Sequence, residues 1–124
     1  MLDVIKVTTT GGAGVAGGTG TSELPFTGFI EGILVDFNGS APVTTTVVIT
    51  ENGGLGRTLL TLGAGNTDAI YNPQFQINDN AGAAKTFYTP FFISGQSLKV
   101  TVANCDALVN AVVVKTVVWQ GAQQ

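Results

Sequence analysis

Gly12, Gly14 and Gly17 fall in the spacing Gly-x-Gly-x-x-Gly just after the apolar run VIKV (4–7), and Asp36 closes a second apolar run, GILVDF (32–37). In a dinucleotide-binding unit such glycines let the backbone approach a pyrophosphate, and the later carboxylate takes the ribose hydroxyl. That chemistry requires a helix opening at the third glycine, because its N-terminal amides hold the phosphates. The residues that follow, GTGTSELPFTG (18–28), carry three glycines, Pro25 and three threonines, and cannot form that helix. No Gly-Lys-Ser/Thr sequence offers an alternative phosphate loop. In a chain with 17 glycines the spacing is a coincidence, and no nucleotide cofactor is expected.

Other reactive residue types are sparse. The chain has no histidine, which removes Ser-His-Asp and Cys-His arrangements and most zinc sites. Cys105, the single cysteine, has no neighbouring cation in VANCDA and reads as an inert thiol. Ser97 and Lys99 share one face of an expected strand, which reads as a solvated face rather than a dyad. The eight acids are scattered, and NDN (78–80) lacks the glycine and distal glutamate of a calcium loop, so it reads as a turn. Asn38-Gly39-Ser40 reads as a hairpin corner. No catalytic residue, metal ligand or cofactor site is expected, and the chain is not expected to be an enzyme.

What must position these residues follows from composition. The 124 residues are 44% hydrophobic and only 10% charged, against about 25% charged in ordinary soluble domains. A surface so poor in charge is either rich in Thr, Asn, Gln and Gly or covered by partner subunits. The net charge of −3 comes from dispersed residues without a basic cluster, so nucleic acid is not an expected partner. No apolar run approaches the roughly 18 residues of a membrane span. The start MLDVIKVTTT lacks the features of a signal peptide, and one cysteine suits synthesis in a reducing cytoplasm.

The patterning predicts an all-β fold of about eight short antiparallel strands, a β-sandwich or jelly-roll-like arrangement. The expected strands are 2–10, 26–38, 43–51, 57–62, 69–78, 85–94, 97–105 and 107–120. In the second, Phe29, Ile33, Val35 and Phe37 share a face, interrupted by Glu31. ENGG (51–54) predicts a hairpin turn, Gly95-Gln96 another, and Pro73 breaks the fifth strand. Residues 121–124 read as a frayed tail. Residues 1–22 read as an N-terminal strand with a Gly-rich arm or loop, and 23–124 as the body of one domain.

Most aromatics are expected in the core, with a sugar or peptide platform as the alternative. Phe91 and Phe92 are adjacent and must point to opposite faces. The final strand is apolar on both faces, so both are expected to be mostly covered. Two-faced apolar strands point to an oligomer or larger assembly. The expected interface residues are Leu2, Val4, Ile5, Val7, Val15, Phe91, Phe92 and Trp119, with residues 1–22 as the inter-subunit arm.

With its Gly/Thr segment VTTTGGAGVAGGTGT (7–21), its strand VTTTVVIT (43–50) and its ending YTPFFISGQSLKVTVANC…NAVVVKTVVWQ, the chain resembles tailed-bacteriophage capsid decoration (cement) proteins. The likeness is one of style across the whole chain and transfers no site residues. It implies a compact β-domain, often trimeric, that clamps adjacent major capsid protein subunits. It also implies a place in the virion after synthesis in the bacterial host cytoplasm. A tail or head-fibre component, or a receptor- or carbohydrate-binding β module, is the alternative.

Overall fold

β-branched and aromatic residues fill the extended runs, and the computed structural model, which describes residues 1–121, is all-β. Residues 122–124 of the expected tail lie outside the described residues. Among the described residues there are ten strands rather than eight. They are β1 (Leu2–Val7), β2 (Ala16–Thr21), β3 (Phe26–Phe37), β4 (Thr46–Asn52), β5 (Thr58–Leu62), β6 (Ala69–Tyr71), β7 (Gln74–Asn78), β8 (Ala84–Pro90), β9 (Phe92–Cys105) and β10 (Val112–Trp119). The strands run in the order β1-β10-β3-β9-β4-β5, with β2 beside β9 and β6 beside β3. β7 and β8 form a separate two-stranded ribbon. All pairings are antiparallel.

The two long strands hold the halves together. β3 pairs with β10 from Phe29 to Phe37, and its first residues pair with the start of β9. β9 then continues along β4 and β2. Ile5 and Val7 of β1, Ile33 and Val35 of β3, and Val112 and Val114 of β10 meet Val47 and Ile49 of β4 and Val100 and Val102 of β9 in one buried cluster. Each such side chain contributes about 1.5–3 kcal/mol by leaving water.

Strand β3 does not keep one parity. Val117 stands opposite Gly32, but Val118 stands opposite Ile30, so Glu31 is an extra residue in the ladder. The bulge turns both Glu31 and Gly32 away from the core. Ile33, Val35 and Phe37 therefore point inward, whereas before the bulge the inward residues are Phe26, Gly28 and Ile30. Phe29, expected with the core set, faces out.

The expected hairpin at Gly95-Gln96 is also absent. Gly95 adopts φ +66° and its N–H donates to Thr27 Oγ1 at 2.9 Å, so β9 bends there and carries on. The hairpins are β4–β5, through the ENGG turn, and β7–β8. Pro73 separates β6 from β7 as expected. The Asn38–Ser40 turn joins β3 to β4, which do not pair, so it is a crossing rather than a hairpin corner. Residues 107–111 precede the last strand as a loop. Thr9 holds that loop: its hydroxyl donates to the Asp106 carbonyl at 2.5 Å and accepts from the Leu108 N–H at 3.0 Å.

The Gly-rich segment carries a strand of the sheet in the single chain. After a turn at Gly11–Val15 it runs as β2 against β9, and Thr10 bridges Gly17. A Cβ on Gly18 would lie 2.4 Å from the Thr8 carbonyl oxygen, and one on Gly17 would lie 2.8 Å from the Val102 carbonyl oxygen. A Cβ on Gly20 would meet the Ile5 side chain at 2.8 Å. The glycines are there because β1 and β9 press on both sides of β2, leaving no room for side chains.

Arg57 fixes the ribbon. Its Nε donates to Glu51 Oε1 at 2.6 Å, and its Nη2 donates to Glu51 Oε2 at 3.2 Å and to the Phe92 carbonyl at 2.8 Å. The guanidinium lies 5.4 Å from the Phe75 ring and 5.3 Å from the Phe91 ring, which themselves sit 5.0 Å apart. A lone two-stranded ribbon is marginal in water, so this cation–aromatic contact ties β7 to the body. The Arg57 hydrogen bonds hold the Glu51 carboxyl below its ordinary range, although burial pushes the other way.

Three outcomes follow for stability. Gly18→Ala should cost about 1–3 kcal/mol or more through overpacking, whereas Gly39→Ala, with open space around it, should shift the urea midpoint negligibly. Thr116 is fully buried and its hydroxyl has no hydrogen-bond partner among the described residues, so Thr116→Val should gain about 1 kcal/mol. Because Glu51 is depressed in the folded state, its contribution is present above the ordinary glutamate value of about 4.3 and is lost as pH falls through the lower folded value. Glu51→Gln should therefore melt below the wild type at pH 7, by about 1–3 kcal/mol, with the gap narrowing as pH falls through the lowered folded-state value.

Candidate functional site

The residue types singled out for nucleotide chemistry do not converge. Gly12 and Gly14 lie in the turn before β2, Gly17 lies within β2, and Asp36 lies on β3 opposite Val113. Among the described residues no helix follows the glycines, so no amide cradle forms. Ser97 and Lys99 stand opposite Asn52 and Thr50 on the half-exposed face of β9. Cys105 is buried at the end of β9, opposite Ala16. Asp79 closes the β7–β8 turn, accepting from the Ala81 and Ala83 amides at 2.9 Å each and pairing with Lys85 at 3.7 Å. Among the described residues no three His, Cys, Asp or Glu side chains gather to hold a metal.

The expected interface set divides in two. Ile5, Val7 and Phe91 are consumed by the chain's own core and have no surface to offer a second chain. Leu2 and Val4 lie on the outer face of β1, and Val15 tops the Gly11–Val15 turn at 74% exposure. Phe92 and Trp119 are also exposed, at 39% and 53%. Phe91 and Phe92 thus point to opposite faces. The outer face of β10, expected to be covered, is open in the single chain at Lys115, Val117 and Trp119.

Phe92 and Trp119 are brought together by Phe29. Trp119 pairs with Phe29 across β10 and β3, and Phe29 pairs with Phe92 across β3 and β9. The Phe29 and Phe92 rings meet edge-on with centroids 4.9 Å apart, and Phe29 and Trp119 lie 6.1 Å apart at 31°. Such geometries favour the ring quadrupoles, yet all three side chains remain open to water. Phe87 and Tyr88 on β8 are exposed as well, whereas Phe26, Phe37 and Phe91 are buried and Tyr71 and Phe75 pack against the core, so the aromatics, most of them expected in the core, divide between core and surface.

Beside this row lies an open cleft of about 370 Å³. Phe29, Glu31 and Trp119 form one wall; Asn72, Pro73, Gln74 and Pro90 form the other, with Ile30 beneath. The β3–β6 pairing places the second wall, and the Asn72 side-chain amide donates to the Glu31 carbonyl across the cleft. Glu31 is the one charged residue of the lining. The arrangement can stack a flat apolar surface and hydrogen-bond at its rim. None of the residues lining it is a nucleophile with an adjacent base. Phe29 was missed because the bulge inverts its side. The sequence hints at the bulge only through Glu31, an acid on the face that Ile33, Val35 and Phe37 share in an uninterrupted strand, which does not by itself locate the register shift.

Neither a protein-family model nor a curated protein matches the chain.

Proposed function

We propose that the chain is a non-enzymatic virion structural protein that attaches to and reinforces a capsid, in the manner of a phage decoration protein. In this reading the two strand groups stack as a β-sandwich, and copies associate into a closed homo-oligomer, a trimer by the resemblance. The carrying observation is the outer face of the β1–β10 pair. Leu2 stands directly opposite Val117, and Val4 follows on the same face, all three exposed. Apolar side chains stacked across a strand pair and left in water mark a surface that another subunit covers.

A second exposed apolar group lies at the far end of the strands. Val15, Val43 and Val109 are each more than two-thirds exposed. Their loops are knitted together: Gly14 N–H donates to Asp106 Oδ1 at 2.9 Å, Asn38 Nδ2 to the Val109 carbonyl at 3.2 Å, and Thr44 Oγ1 to the Asn104 carbonyl at 2.8 Å. A stiff apolar loop cluster suits docking on a shell, and many weak copies of one contact add up on a lattice.

The test is light scattering of the pure chain together with co-sedimentation on capsid shells lacking it. The wild type should form a closed oligomer and bind shells. Val4→Asp and Val15→Asp should keep the wild-type circular dichroism and melting, since both sites are exposed and Lys115 stands opposite Val4, yet lose oligomer or shell binding. Normal assembly by both variants would exclude these surfaces as the attachment sites.

A further inference from the structure

The aromatic cleft adjoins the β1–β10 face assigned above to attachment, since Trp119 follows Val117 on the outer face of β10, but neither Leu2 nor Val4 lines it. We infer that it is a binding site for a neutral saccharide. A pyranose presents apolar C–H faces and a rim of hydroxyls. The first stacks on aromatic rings and the second needs hydrogen-bonding groups lying near the ring plane. Phe29 and Trp119 supply rings on one wall, and Glu31, Asn72 and Gln74 supply planar carboxylate and amide groups around them.

The lining also discriminates among ligand classes. No lysine or arginine lines the cleft, so phosphate, sulfate or carboxylate ligands lack the cation they require. A wholly apolar ligand would strip water from Glu31, Asn72 and Gln74 without replacing it. A proline-rich peptide would stack on the rings but presents mainly carbonyl acceptors. Such a peptide would also leave the Glu31 carboxylate, which makes no ion pair among the described residues, without a donor, because proline has no N–H. Hydroxyl donors complement that carboxylate. The cleft is preformed, because its walls rest on the β3–β6 ladder and on the ribbon held by Arg57.

Trp119 is the only tryptophan, so its emission reports on the cleft directly. The full chain would be titrated with cellohexaose, maltohexaose and chitohexaose. The expected result is a saturable blue shift with at least one of them, weakened about tenfold by Phe29→Ala and by Glu31→Ala, both exposed positions. Binding of the same hexaose to Trp119→Ala, followed by calorimetry, should fall similarly. Val4→Asp should bind as the wild type does, so loss of assembly and loss of saccharide binding are read separately. No saturable response to any of the three hexaoses would overturn the proposal. So would a response to a proline-rich peptide or to a sulfated glycan in their place, or binding that Phe29→Ala and Glu31→Ala leave unchanged.

Discussion

One extra residue in one strand organises the exposed surface of this protein. Glu31 is unmatched in the β3–β10 ladder, and side chains on a strand alternate with a period of two. After the bulge, β3 sends Ile33, Val35 and Phe37 inward to complete the core with β1 and β10. Before it, Phe26 and Ile30 go inward and Phe29 goes out to meet Phe92 and Trp119. Without the bulge, one half of β3 would put its apolar set in water and the aromatic row would not exist. The same bulge aims Glu31 at the rim of the cleft.

Two close approaches make that arrangement rigid. On one side, β2 lies so near β1 and β9 that Gly17, Gly18 and Gly20 leave no space for a Cβ. On the other, Arg57 joins the β4–β5 turn, the start of β9 and the β7–β8 ribbon through Glu51, the Phe92 carbonyl and two aromatic rings. A buried carboxylate is costly unless it is paired, and Glu51 is paired by both arms of the guanidinium. The ribbon itself has little core of its own, so its placement, and with it the cleft wall at Gln74 and Pro90, depends on this contact.

The all-β class was legible because β-branched runs such as VTTTVVIT and AVVVKTVVW have no helical reading, and the ENGG hairpin and the Pro73 break followed from local backbone preference. What escaped were features that local pattern cannot separate. A glycine run has the same composition whether it is mobile or squeezed between two strands, and only the positions of Thr8, Ile5 and Val102 distinguish the cases. Gly95 tolerates a positive φ equally in a turn and in a bend within a strand, so a hairpin and the continuous β9 were indistinguishable. That Phe91 and Phe92 lie on opposite faces was legible because they are adjacent, but which of them is buried was not. Nor was the side of Phe29, which depends on the register of β3 with β10. Arg57 gave no sequence signal, as its partners Phe75 and Phe91 arrive from distant segments.

The claim that β3 inverts at Glu31 and leaves the aromatic row open is most directly tested by acrylamide quenching of Trp119 fluorescence in the native chain. The account predicts red-shifted emission, with a quenching constant that is a substantial fraction of that in urea-unfolded protein, because the indole lies outside the core and stays open at the cleft. Blue-shifted emission protected from acrylamide in the isolated chain would contradict it, placing Trp119 inside and requiring a different register for β3 and β10.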